Sequence, residues 1–327
     1  MITKALFGTY EKGDVYAYTL TNETGLSATV LTLGGILQKF VYNGIDVTLG
    51  YETLEEYLVN GGHFGALIGR VANRIANAEL TVGGTSYPLS VNRGKHQIHG
   101  GFEGFGKKLW NAAVEDDKLK LTLFSPHMEE GFPGNLQVEV IYSLDDQNGL
   151  CIDYRAVSDT DTAVNMTNHA YFNLNGGGDI LAHTLQLSAD AYTPTDSEGI
   201  PTGEIAPVAG TALDFRTTKA LGADIADAPF GCYDNNFCLN GSGLRKVGVL
   251  KGDTLSMEVE TTTEGMQIYC ANFTGYRPGK YGAVYHGHCF VCLEAQGYPD
   301  AMHHSNFPSV LLNAGEEYRQ TTIYRIQ

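Results

Sequence analysis

KLKLTLF (residues 118–124) and LQVEVIY (residues 136–142) decide the fold. In the first, Leu119, Leu121 and Leu123 alternate with Lys118, Lys120 and Thr122; in the second, Leu136, Val138, Val140 and Tyr142 alternate with Gln137, Glu139 and Ile141. An apolar residue at every second position gives a strand one buried and one wet face, the mark of half-exposed antiparallel sheet. The same period recurs outward along the chain. Ile152, Tyr154 and Ala156 alternate with Asp153 and Arg155, and Met257, Val259 and Thr261 with Glu258 and Glu260. Asn43-Gly44, Gly83-Gly84 and Asn148-Gly149 supply turn chemistry between such runs, and the 40 glycines suit a chain of many turns. Helical signal is slight: in TLEEYL, Thr53 and Glu56 can form a capping box for a turn or two. Repeated strands without alternating helices predict an all-β fold, a large antiparallel sandwich or barrel, rather than a nucleotide-binding α/β sheet. The glycines at 176–178 follow no G-x-G-x-x-G that opens a helix, so a phosphate cradle is not expected.

With 327 residues and 43% hydrophobic content the chain can bury a large core. No linker, low-complexity tract or fixed-period repeat divides it, which predicts a single domain over residues 1–327. The opening MITKALFGTYEKGDVYAYTL has no apolar run of signal-peptide length, and no run is long enough to span a bilayer; a cytoplasmic protein is expected. A formal charge of −16 without a clustered basic stripe argues against nucleic acid and acidic membrane as partners and suits a neutral small molecule. The six cysteines fit buried thiols in a reducing compartment. HGHCFVC (residues 286–292) contains a C-x-x-C, but no second ligand pair or strand-to-helix context accompanies it, and an extended chain would point its two thiols to opposite faces. Neither metal nor redox chemistry is expected there.

Two distant segments carry the chemistry. In NMTNHAYFNL (residues 165–174) the odd positions Asn165, Thr167, His169, Tyr171 and Asn173 can hydrogen-bond, whereas Met166, Ala170, Phe172 and Leu174 are apolar. Period two makes this a strand with a polar face centred on His169. In FVCLEAQGYPDA (residues 290–301), Val291, Leu293 and Ala295 share one face and Glu294 and Gln296 the other. A histidine and a carboxylate on rigid strands suit general acid–base catalysis. Each also has a plainer reading. A lone strand histidine is more often a hydrogen-bonded structural residue, while a carboxylate between apolar neighbours is costly to bury unless it is paired or used. Further candidates for the same cleft are Arg70, Asn73 and Arg74 in GRVANRIA, His96 and His99 in HQIHGG, and Asp234 in CYDNNF. These side chains, set among Phe and Tyr, have the chemistry that binds sugar hydroxyls, although arginine stems can equally cover a core and Asp234 can cap a turn.

GRVANRI, HGG followed by GF and LW, TNHAYFNL, LDFR, YDNNF, EGMQIYCANF and LEAQGYPDA occur in that order between residues 69 and 301. On these motifs the chain resembles the aldose 1-epimerases (galactose mutarotases) over essentially its whole length. The resemblance implies a large antiparallel supersandwich, a free aldohexose such as galactose or glucose bound in an open cleft, and no cofactor or metal; it carries no oligomeric state. It implies Glu294 as general base, His169 as general acid, and Asn73, Arg74, His99, Asp234 and Gln267 as residues that hold the sugar. Two positions depart from the usual pattern: Glu264 where proline is general, and His303 where asparagine is common. Both bear on loops near the sugar and hence on substrate preference.

Three other functions compete. A hexose-6-phosphate epimerase would need an additional basic cluster. A glycosidase with Glu294 and Asp234 as its carboxylates would leave His169 without a role. A non-catalytic carbohydrate-binding protein would gain nothing specific from an acid–base pair.

Overall fold

The computed structural model describes residues 1–270 and 276–327; residues 271–273, the end of EGMQIYCANF, lie outside the described residues. The architecture is all-β, as the alternation predicts. Its largest unit is a nine-stranded sheet in the order Asn111–Glu115, Lys118–Ser125, Leu136–Leu144, Gly149–Ser158, Glu317–Ile326, Ser256–Thr261, Arg245–Lys251, Thr184–Leu187, Lys219–Ala220. The strands Lys118–Ser125 and Leu136–Leu144 are adjacent antiparallel neighbours, with Leu121 opposite Val140 and Leu123 opposite Val138. Leu119, Leu121 and Val140 are fully buried. Each buried leucine contributes roughly 1.5–3 kcal/mol. A one-residue slip would expose the whole row, so burial fixes this register.

A five-stranded sheet runs Ile2–Tyr10, Gly13–Thr21, Ser27–Leu31, Leu37–Tyr42, Ile45–Asp46, and a second runs Ala206–Pro207, Ala189–Thr193, Asp234–Leu239, Gly265–Tyr269, Cys292–Gln296. Their inner faces meet the nine-stranded sheet in one core, to which Val30, Leu37 and Phe40 come from the first, Phe237, Met266, Ile268 and Leu293 from the second, and Val138, Ile152 and Tyr154 from the largest. Asn43-Gly44 and Gly83-Gly84 make the expected two-residue turns, all four residues at positive φ. Asn148 also has positive φ, but Gly149 already belongs to its strand; the carboxylate of Asp145 closes this longer turn by accepting from the backbone N–H of Gln147 and Gly149. The one α-helix among the described residues, Leu54–Val59, has the Thr53–Glu56 capping box in both directions. No helix among the described residues is long and apolar enough to cross a membrane.

The segment around His169 is less regular than its alternation suggests. Only Thr167–His169 forms a strand, paired with Ala66–Ile68. Gly65 fixes this pair in place: its N–H donates to the carbonyl of His169 (2.9 Å) and its carbonyl accepts from the Asn168 amide (2.8 Å). Gly65 sits at φ +69°, and a Cβ there would lie 2.2 Å from the carbonyl oxygen of Leu37. Left-handed strain together with that overlap predicts that Gly65→Ala costs roughly 2–4 kcal/mol. A urea midpoint that falls with an unchanged slope is the expected result.

Candidate active site

Antiparallel register assembles the site. Gln267 lies directly opposite Glu294 on neighbouring strands, and Asp234 opposite Tyr269 one strand further over. The short Thr167–His169 strand packs against Cys292–Gln296 and brings His169 to the same place. Nε2 of His169 is 3.6 Å from Oε1 of Glu294, and the two side chains are only 5% and 2% exposed. All seven candidates, Asn73, Arg74, His99, His169, Asp234, Gln267 and Glu294, line one cavity of about 1140 Å³.

The walls of this cavity are built by hydrogen bonds and rings. Asn73, at φ +63°, accepts with Oδ1 from the backbone N–H of Arg74 (2.8 Å) and from its Nη1 (3.4 Å). The backbone N–H of Asn73 donates to Nδ1 of His99 (3.2 Å), fixing that imidazole's tautomer with its proton on Nε2. Nη2 of Arg74 is 3.7 Å from Oδ2 of Asp234, whose Oδ1 accepts from the Gln267 amide at 2.6 Å. His169 stacks on Tyr171 (centroids 4.8 Å apart, planes 14°) and on His63 (5.8 Å, 17°), with His99 and Tyr269 edge-on. Phe290 and Phe64 continue the aromatic wall.

Several buried polar atoms in this cavity have no partner: Oε2 of Glu294, Nδ1 of His169, Oε1 of Gln267 and Nε of Arg74. A buried unpaired polar atom costs about 1–3 kcal/mol. Four of them converging on one cavity mark a place shaped for a polar ligand rather than for stability. Burial, reinforced by the charge of Asp234, raises the carboxyl of Glu294 well above its ordinary range, while Arg74 pulls it down. Burial, reinforced by His63, holds the His169 imidazole well below its ordinary range. Burial lowers His63 to about 4, with Lys107 adding to the shift. These imidazoles are therefore uncharged near neutrality unless a ligand supplies the compensating charge.

Arg70 and His96 do not belong to the cavity. Arg70 is buried elsewhere, its guanidinium spent on backbone carbonyls, and His96 accepts from the backbone N–H of Asn77. Glu264 and His303, the two departures, are also outside the lining: Glu264 is exposed, and Nδ1 of His303 binds Oδ1 of Asp300 at 2.6 Å. Lining residues that sequence reasoning missed include His63, whose ring stacks on His169. It interrupts no period and belongs to no motif, so nothing in the sequence singled it out.

The profile of the aldose 1-epimerase family matches residues 16–325. The chain belongs to the aldose 1-epimerase family. Among its relatives, a galactose mutarotase of Mus musculus is 46% identical over 86% of this chain and 83% of that one. An aldose 1-epimerase of Escherichia coli K12 is 38% identical over 94% of each. In three dimensions the galactose 1-epimerase of Lactobacillus acidophilus superposes with a TM-score of 0.90 at 28% identity, covering 100% of this chain and 98% of the other. The supersandwich expected of this family is thus the fold observed, and the cavity described above lies within the matched span of this aldose epimerase.

Proposed function

We propose that this chain is an aldose 1-epimerase that interconverts the α and β anomers of free aldohexoses such as galactose and glucose, with Glu294 as general base and His169 as general acid. The observation that carries the assignment is the 3.6 Å approach of Nε2 of His169 to Oε1 of Glu294 at the buried end of a polar, aromatic-walled cavity. Ring opening of a cyclic hemiacetal removes the proton from the C1 hydroxyl and adds one to the ring oxygen. A carboxylate and an imidazolium perform both transfers without leaving charge on the sugar. Rotation about the C1–C2 bond and reclosure with the roles reversed give the other anomer. Asn73, Arg74, His99, Asp234 and Gln267 hold the remaining hydroxyls, and the rings of Tyr171, Tyr269 and Phe290 cover the apolar face of the sugar.

The electrostatics bear directly on this cycle. Carboxylate with imidazolium, and carboxylic acid with neutral imidazole, carry the same net charge of zero and hold the same number of protons. Ring opening takes the pair from the first form to the second. Burial favours the second by raising Glu294 and lowering His169, so desolvation assists opening. The guanidinium of Arg74 favours the carboxylate and so retains the ionic form needed to begin. Since the pair is active at net charge zero, kcat/KM is expected to be level through neutrality. It falls in acid as the pair gains a proton and in alkali as it loses one, with apparent values that belong to the pair rather than to either residue.

The test is to dissolve pure α-D-galactose and α-D-glucose and follow optical rotation or the anomeric proton signals with catalytic protein. Faster approach to the same equilibrium establishes the activity and ranks the sugars. Binding without acceleration would replace the enzyme by a sugar-binding protein.

A further inference from the structure

The strand Cys292–Gln296 is extended, so Cys292 and Glu294 share a face two residues apart. Cys292 takes no part in the proposed proton transfers and is fully buried, outside the cavity lining that includes His169 and Glu294. One ring nitrogen of His169, Sγ of Cys292 and a carboxylate oxygen of Glu294 all lie within 4.8 Å of one another. We propose that these three side chains form an inhibitory site for a soft divalent cation of the Zn²⁺ or Cd²⁺ class, which competes with the sugar.

Geometry, donor set and charge each support it. Tetrahedral zinc with Zn–N of about 2.0 Å and Zn–S of about 2.3 Å needs its ligand atoms roughly 3.3–3.7 Å apart. His169 and Glu294 already stand at 3.6 Å, so only the thiol has to close in, by about an ångström, a rotamer-scale adjustment. Three protein ligands of nitrogen, sulfur and oxygen type leave a fourth position facing the cavity, where water completes the shell. The thiolate selects zinc and cadmium over magnesium and calcium, which take oxygen. A divalent ion with one thiolate, one carboxylate and one neutral imidazole is electrically neutral. It therefore removes the burial cost that otherwise keeps Cys292 and Glu294 protonated. Coordination releases the thiol proton, and any proton on the carboxyl, to solvent. Among the described residues this is the single grouping of three such ligands; the Cys289 and Cys292 of the C-x-x-C do not form one with the neighbouring histidines.

Metal bound here occupies the imidazole lone pair and the carboxylate together, so mutarotation stops. That consequence rests on the roles proposed for His169 and Glu294, whereas binding itself does not. The test is a Cd²⁺ titration of the whole protein that follows the ultraviolet thiolate-to-metal charge-transfer band, alongside mutarotation in the presence of Zn²⁺ with and without EDTA. The expected results are one band at one equivalent, displaced by galactose, and EDTA-reversible inhibition competitive with sugar. Cys292→Ser should retain mutarotation without metal, lose the band, and need at least about tenfold more Zn²⁺ for the same inhibition. Should the serine variant fold poorly, Cys292→Ala serves in its place. A band that survives loss of Cys292, indifference to galactose, or no band at all overturns the site. A Cys292-dependent band in a protein without mutarotase activity would leave the site standing and remove the functional assignment instead.

Discussion

Glu294→Gln is expected to lower kcat by about 10²–10⁴-fold, the range general acid–base catalysis supplies, while making the folded protein more stable. Gln keeps the shape and one acceptor oxygen but has no basicity, so the C1 hydroxyl keeps its proton. The stability gain follows from burial. Above the carboxyl's ordinary value of 4.5 the unfolded chain ionises this group while the folded chain, whose value is raised by burial and by Asp234, keeps the proton. The folded state then binds more protons, and stability contributed by this residue is lost as pH rises from 4.5 towards the raised folded value. Gln has no such dependence, so its advantage should grow with pH to on the order of 1–2 kcal/mol near neutrality. His169→Asn should behave with the opposite sign. Its imidazole is depressed below 6.5, so wild-type stability is lost as pH falls below that value, and the Asn variant should gain in acid. Urea midpoints across pH 4–8 check both. Destabilisation by Glu294→Gln at neutral pH would mean that the carboxylate is ionised and structurally paired in the resting protein.

The sheets were legible because their strands have one wet and one dry face. Lys118 and Lys120 beside Leu119 and Leu121 leave period two no competitor, and this strand is one of the nine in the largest sheet. The site was only partly legible because both faces of its strands are buried, and polarity there serves two ends. Of the polar residues read as one face around His169, Asn165 binds both the carbonyl and the N–H of Gly297, and Asn173 donates to Cys289 and Gly178. Only His169 and Tyr171 of that face reach the cavity. A hydrogen bond to a distant backbone group looks, in sequence, the same as one to a ligand. Cys292 shows the converse: read as half of a C-x-x-C it pointed to Cys289, whereas its chemically relevant neighbour is Glu294, two residues on along the same strand face.

Arg70→Met is expected to cost about 3–5 kcal/mol, because it leaves several buried carbonyl acceptors unpaired at about 1–3 kcal/mol each, and yet to leave sugar affinity intact in the molecules that remain folded. Arg70 stands three residues before Asn73 in the same motif, and sequence alone gives it the same claim on the sugar. Arg70 is instead 2% exposed, and its guanidinium binds Oγ of Ser125 (2.9 Å) together with the carbonyls of Ser125 (2.9 Å), Pro126 (2.9 Å), Pro133 (2.8 Å) and Gly134 (2.9 Å). Those carbonyls belong to the end of Lys118–Ser125 and the segment that leads from it to Leu136–Leu144, so one side chain pins the connection between two neighbouring strands of the largest sheet. Methionine fills the stem's volume but leaves the carbonyls facing an apolar wall. Lysine presents a single ammonium to a ring of acceptors that a planar fork spans, and should recover only part of the loss. Burial lowers the guanidinium to about 10, so it remains charged across the working range and the deficit should not depend on pH near neutrality. A domain's total stability is only about 5–15 kcal/mol, so the variant should unfold at a much lower urea concentration with an unchanged KM. A raised KM at unchanged stability would instead make Arg70 a sugar ligand.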